Sequence, residues 1–229
     1  MLIVTLLFGG FVLLPFAAPI FMALGWTRPA NLIYAFYSLF CHQMAQRSFF
    51  LFGPAPMVNL TDLPVASGGN LTADLVALRA FVGNEALGWK VAWSDRMVYM
   101  YGAMWIASLL YTLLSHRKNI RSIHPVTFAL LLLPLLVDGG THLLSDVSGG
   151  IGAGFRETNQ WLAALTSNAF PDWFYQGDGF GSFNAWMRLI SGLTFGVGVV
   201  WFAYPYIGRS LSGTERILRQ KLIHAGVRL

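Results

Sequence analysis

Four apolar runs punctuate the chain, each long enough to cross a bilayer. A spanning helix needs about 20 mainly apolar residues, because the hydrocarbon layer is about 30 Å thick and a helix rises about 1.5 Å per residue. The first run covers about residues 2–26, with no charged side chain before Arg28. The second covers about 97–115, the third about 124–145 and the fourth about 189–207. The third is apolar as far as Val137 and then carries Asp138 and His142, so it is the span with chemistry in it. Between Arg28 and Arg47, "PANLIYAFYSLFCHQMAQ" is apolar, but its clean part, Leu32–Phe40, is too short to cross. It predicts an interfacial or re-entrant helix. "TADLVALRAFV" predicts a short helix capped by Thr72 and stopped at Gly83-Asn84, and "RETNQWLAAL" predicts another. The tail sets Ile217, Leu218, Leu222 and Ile223 against basic residues, as a helix lying on a leaflet would. The pattern predicts an all-α integral membrane protein: four transmembrane helices plus the interfacial or re-entrant helix and short extramembrane helices. A single membrane domain, 1–208, carries outer loops at about 27–96 and 146–188, and a basic amphipathic tail follows at 209–229.

Composition agrees with that pattern. Hydrophobic residues make up 55% of the 229 and charged residues 11%. A soluble domain has roughly 25% charged residues, so a water-facing surface cannot be assembled here. One cysteine excludes a disulfide scaffold. The net charge of +5 comes mostly from two clusters: Arg117, Lys118 and Arg121 after the second span, and Arg209, Arg216, Arg219, Lys221 and Arg228 after the fourth. Basic residues in short connections mark the cytoplasmic side. Both termini are therefore expected in the cytoplasm, with a multi-pass location in a bacterial inner membrane. The start lacks the basic flank of a secretory signal, which reads as an uncleaved anchor. No basic stripe interleaves with stacking aromatics, so nucleic acid is not expected as a partner.

With that topology the reactive side chains fall at one depth. Arg96 opens the second span, Asp138 and His142 lie near the end of the third, and Arg188 opens the fourth. His42, Arg47, Arg156, Glu157 and Asn159 lie in the outer connections. Ionisable groups at a membrane boundary are costly unless paired, so a polar cluster of His42, Arg47, Arg96, Asp138, His142, Arg156, Glu157, Asn159 and Arg188 is expected. Asp138, His142 and Asp146 stand four apart and line one helical face. That face suits a carboxylate tying helices together, an acid–base relay of Asp138 and His142, or part of a metal site. Adjacent Cys41 and His42 point about 100° apart on a helix, so a metal there would need a third ligand such as His142 or Asp138. No metal site is expected.

The motifs in order are "CHQMAQRSFFLFG", "WSDRMVYMYG", "DGGTH", "RETNQ" and "RLISGLTFG". Together they resemble a family of predicted bacterial and archaeal membrane proteins known only as a domain of unknown function. Its marks are Cys-His-Gln followed by Arg-Ser-Phe, a Cys-x-Arg before a tyrosine-containing span, Asp-Gly-x-Thr-Gln, Arg-Glu-Ser-Asn, and an Arg opening the last span. The likeness extends from about Tyr34 to Gly198. Two departures from it matter: "AWSDR" has no cysteine, and His142 stands where the third motif has Gln. The segment from about Pro54 to Trp93 also exceeds the short link of the family. The resemblance implies a helical membrane bundle and no established activity.

Two functions follow as expectations. One is a non-catalytic accessory or assembly subunit of a larger membrane complex in electron transfer or photosynthesis, with other membrane subunits as partners. It rests on small size, outer loops rich in tryptophan, small residues on two spans (Gly102, Ala103, Ala107; Gly192, Gly196, Gly198), and the lack of a complete catalytic constellation. The alternative is a small membrane enzyme or ligand-binding protein that uses the Arg/Asp/His cluster on a lipid or quinone. A bound lipid, quinone or pigment fits either reading.

Overall fold

The computed structural model describes residues 2–65, 70–115 and 120–225, apart from the side chains of Glu215, Arg216, Arg219 and Leu222. Arg117, Lys118 and Arg228 of the two basic clusters lie outside the described residues. Four helices are long and apolar enough to span: Leu2–Ala23, Asp95–Ser115, Pro125–Gly149 and Phe183–Thr214. The first is interrupted. Helix α1 (Leu2–Leu13) passes through a 3₁₀ turn at Leu14–Phe16 into α2 (Ala17–Ala23), and Pro15, which cannot donate a backbone hydrogen bond, sits at that break. Gly25, at φ 76°, then turns the chain back into α3 (Thr27–Tyr37). Eleven residues reach only ~16 Å, so α3 does not cross. It packs beside α2 and returns the chain to the depth of Phe11, whose carbonyl accepts the Tyr37 hydroxyl at 2.6 Å.

A small sheet follows, which the hydropathy pattern did not predict. Strands β1 (Ser48–Leu51), β2 (Gly83–Asn84) and β3 (Gly88–Ser94) pair antiparallel in the order β1-β3-β2, with helix α4 (Leu71–Ala80) between the first two. Its segments are too short for a period-2 signal, and β3 is buried on both faces, so apolar and polar residues do not alternate. Gly88 (φ 81°) allows the close strand crossing: a Cβ there would fall 2.4 Å from the Leu51 carbonyl oxygen. Asn70, not Thr72, caps α4, its side chain accepting from the N–H groups of Thr72 and Ala73 at 3.1 Å. Trp93 on β3 is fully buried among Phe11, Tyr37 and Tyr101, with ring centroids 4.7–5.3 Å away.

Strand β3 runs directly into α5 (Asp95–Ser115), and α6 (Pro125–Gly149) returns. On α6 the membrane logic is inverted from a soluble helix. Its buried residues are Asp138, His142 and Ser145, while Leu130, Leu133, Leu136, Val137, Leu143, Leu144 and Val147 face outward. Apolar side chains toward lipid and polar ones toward the bundle is the arrangement hydrocarbon requires.

Short helices α7 (Phe155–Thr158), α8 (Gln160–Leu165) and α9 (Asp172–Tyr175) fill the last long connection. The single helix read into "RETNQWLAAL" is broken at Asn159, which is left-handed at φ 42°, a conformation Asn tolerates. Helix α10 (Phe183–His224) is continuous through the position where a separate tail was read: Gly208, Ser210, Ser212 and Gly213 all stay helical, with Ser212 Oγ donating to the Gly208 carbonyl at 2.9 Å. Helices α5 and α10 pack most closely. A Cβ on Gly196 would lie 2.6 Å from the Met100 carbonyl oxygen and 2.7 Å from Ala103 Cβ, so Gly192 and Gly196 serve the protein's own bundle. Gly196→Val is expected to cost about 1–3 kcal/mol by overpacking. Gly102→Ala, where nothing lies within 4 Å, is expected to be near neutral. Thermal denaturation in detergent checks both.

Candidate functional site

The start of α5, the end of α6 and the start of α10 meet at the rim that carries the long connections. There Arg47, Arg96, Asp138, Arg156 and Arg188 of the expected cluster come together through ion pairs, joined by Asp95, Asp146 and Asp178. Arg47 grips Asp146 with two N–H groups at 2.9 and 3.1 Å and reaches Asp178 through Nε at 2.6 Å. Arg188 joins Asp178 at 2.5 Å to Asp95 at 2.6 Å. Beside this chain, Asp138 receives Arg96 and Arg156, both at 2.7 Å, with Ser191 Oγ at 3.2 Å. The first chain has three aspartates against two arginines, and the second has one aspartate between two arginines, so four positive charges meet four negative ones. The Asp95 and Arg188 side chains are at most 1% exposed, and such charges are tolerated only when paired this closely.

Local chain chemistry explains how the members arrive. Arg156 is delivered by a glycine turn. Gly150 (φ 80°) and Gly152 (φ 86°) reverse the chain after α6, and Gly154 then rests against Ser145, where a Cβ would lie 2.5 Å from its carbonyl oxygen. That contact lets the Arg156 N–H donate to Ser145 Oγ at 2.9 Å. The carbonyl of Arg156 accepts from both Asn159 and Asn184 at 2.6 Å, and the same two side chains hold the carbonyls of Tyr175 and Gly177. Asn159 is therefore a buried brace that sets the loop bearing Asp178. Arg188 closes the loop by also donating to the Asp178 carbonyl at 2.8 Å.

Electrostatics outside the spans follows from these contacts. Burial pushes the Asp178 carboxyl up, but Arg47 and Arg188 outweigh it and hold the group well below the usual carboxylate range. Glu157 goes the other way. Burial first, then the nearby Asp178 charge, raise it to about 7. Lys90 on β3 is fully buried, donating to the carbonyls of Gln43 and Arg79 at 2.8 and 2.7 Å, and burial lowers it to about 7.

A cavity of about 350 Å³ opens beside the network. Its polar wall includes Arg47, Arg96, His142 and Asp146, and its apolar wall includes Leu71, Leu75, Met97, Leu143 and Val147. Leu143 and Val147 are also exposed on the outward side of α6, so the cavity borders lipid. His142 Nε2 lies 3.2 Å from Arg156 Nη2, which can only donate, so Nε2 accepts and the proton is assigned to Nδ1. Nδ1 is buried and has no partner among the described residues. Cys41 also lines the cavity, its thiol donating to Ser94 Oγ at 3.3 Å and its sulfur accepting the N–H groups of Gln43 and Ser94. His42 lies at the cavity edge, exposed and outside the ion-pair network. Among the described residues no group of three or more His, Cys, Asp or Glu is arranged to hold a metal ion.

Residues 85–171 match the model of a family described as "Predicted membrane protein (DUF2085)". The resemblance drawn from the motifs is thus supported over that stretch, which carries Asp95, Arg96, Asp138, His142, Asp146 and Arg156. Arg47, Asp178 and Arg188 lie outside it. The chain is also similar to an uncharacterised protein of Methanocaldococcus jannaschii, MJ1492, at 51% identity over 57 residues. That match covers 23% of this chain and spans 36% of the relative's length. No solved structure matches the chain.

Sequence reasoning missed Asp95 and Asp178 as cluster members, and placed Asp146 on the face of Asp138 and His142 but not in the cluster. Asp95 had a signal, an acidic residue beside Arg96 in the first turn of a span. Asp178 sits in "QGDGFG" and reads as turn chemistry; only the folded loop aims it at two arginines. Asp178→Asn is expected to destabilise by about 3–5 kcal/mol, since it leaves two buried guanidinium groups short of charge. Exposed Asp62→Asn is expected to fall within about 0.5 kcal/mol of wild type. Chemical denaturation in detergent compares the two.

Glu157 yields a pH signature. Its carboxyl is raised from 4.5 to about 7 on folding, so between these values the folded state binds more protons than the unfolded state. The contribution of Glu157 therefore falls as pH rises across that window. Glu157→Gln is expected to match wild type in Tm near pH 4.5 and to exceed it increasingly up to pH 8.

Proposed function

We propose that the protein binds an amphiphilic molecule at this rim, with a hydrogen-bond-accepting polar head in the cavity and its apolar part leaving toward lipid. The observation that supports this reading is one cavity with a charge-balanced wall, an apolar wall and a buried, unpartnered His142 Nδ1–H. The balance of charge in the wall argues for an uncharged head, because an anion would have to displace an aspartate from its arginines. Arg96, which also lines the cavity, has an Nε that is likewise buried and without a partner among the described residues. A carbonyl suits two such donors, as on a quinone ring or a lipid ester. In an enzymatic version, Asp138 and His142 would act as the acid–base pair, but Asp138 is already engaged by Arg96, Arg156 and Ser191, which favours binding over turnover.

The accessory-subunit reading rests on a different surface. Leu165, Phe170, Trp173 and Phe180 are exposed around α8 and α9, where a neighbouring membrane subunit could cover them. Stable co-purification of partner chains in mild detergent would favour that reading, and an electron-transfer or photosynthetic role would further require redox or pigment absorption in the purified complex.

Titrating the purified protein with a short-chain benzoquinone, followed by tryptophan fluorescence, tests the binding proposal. His142→Leu is expected to weaken binding by about tenfold or more, the loss of one buried hydrogen bond. Leu75→Trp, which fills the cavity and leaves every ion pair in place, is expected to do the same. Equal affinity in wild type and both variants would overturn the proposal.

A further inference from the structure

The opposite rim carries a second site of different electrostatic character. Each arginine of the ion-pair network has an aspartate. Arg121 and Arg209, by contrast, have no carboxylate partner among the described residues. Along α10, Arg209 stands 21 residues beyond Arg188, or about 32 Å, close to the thickness of the hydrocarbon layer. The pair therefore lies at the depth of the headgroups in the other leaflet.

Pro205 brings the two arginines together. Lacking an N–H, it leaves the Trp201 carbonyl one turn earlier without its helical donor. The Ile123 N–H takes that carbonyl at 3.3 Å, and Ser122 Oγ donates to the Phe202 carbonyl at 2.8 Å. The segment just before α6 is thus fastened across α10. Arg209 is set from the other side: its Nε donates to the Pro205 carbonyl at 3.1 Å, and its guanidinium lies 4.9 Å from the centre of the Tyr206 ring. Ile120, Arg121, Ser122, Tyr206 and Arg209 line a cavity of about 340 Å³ between them.

We propose that Arg121 and Arg209 hold the phosphate group of an anionic phospholipid in this leaflet. Two guanidinium groups with unused donors match the oxygens of a phosphate, and among the described residues no carboxylate pairs with them. Exposed Tyr206 and Ile207 beside them provide an apolar wall for an acyl chain, which a free phosphate would not use. The inference is independent of the cavity at the other rim, where charges already cancel.

Native mass spectrometry of the full chain, released from membranes of equimolar phosphatidylglycerol and phosphatidylcholine, tests it. Wild type is expected to retain phosphatidylglycerol in preference. An Arg121→Lys/Arg209→Lys double variant keeps the charge that governs insertion but loses the planar forks, and its preference is expected to fall by about tenfold. Pro205→Ala changes no charge. It supplies an N–H to the Trp201 carbonyl, frees the Ile123 segment, and is expected to lower the preference as well. An unchanged preference in both variants would mean diffuse attraction to the surface and would overturn the proposal. Displacement of the lipid from wild type by millimolar inorganic phosphate would assign the site to free phosphate and overturn the lipid.

Discussion

The cost of a charge at the edge of a bilayer governs this structure. Eight charged side chains from α5, α6, α7, α10 and two loops are gathered into two adjacent, buried or part-buried sets of ion pairs whose charges balance. A charge removed from water without a partner costs several kcal/mol, so each member constrains where the others stand. Asp138 alone links α5 through Arg96, α7 through Arg156 and α10 through Ser191. Asp178 and Arg188 fix the last loop onto the start of α10, and Arg47 ties the segment before β1 to the end of α6. Lipid gives little driving force for apolar helices to associate, so these pairs and the close glycine contacts between α5 and α10 hold the bundle in register.

The same constraint shapes the two cavities. At the loop-bearing rim the protein supplies its own counter-charges, so what remains for a ligand is hydrogen bonding from His142 and Arg96 beside an apolar wall. At the other rim Arg121 and Arg209 have no carboxylate partner among the described residues; the Trp201 carbonyl that Pro205 frees holds the segment bearing Arg121, and the Pro205 carbonyl sets Arg209. The proposed ligands differ accordingly, an uncharged acceptor at one rim and an anion at the other, and the difference follows from where aspartates are placed.

Much of the fold was legible because the bilayer imposes it. The four spans are found within a few residues of the apolar runs, although the fourth begins six residues earlier than read, at Phe183, because Ser182 caps it by accepting from the Ala185 N–H. The depth of the cluster was legible from the positions of Arg96, Asp138 and Arg188 relative to those runs. The sheet was not, since its pairing joins Ser48 to Ser94 across a long insertion and no local pattern encodes that register. Asp178 and Asn159 were similarly opaque. One reads as a turn residue and the other as a polar position on a helix, and their roles depend on contacts with Arg188, Tyr175 and Asn184.

The sequence by itself determined that this protein lives in a membrane, how many helices cross, and that its ionisable groups collect toward the span ends. Apolar length and charge position are local properties, and the hydrocarbon layer reads them directly. Only the tertiary structure decided which arginine meets which aspartate, that His142 is left with a free donor, and that Pro205 draws Arg121 to Arg209. Pairing energies depend on distance and burial between residues far apart in the chain, and those exist only once the helices have packed.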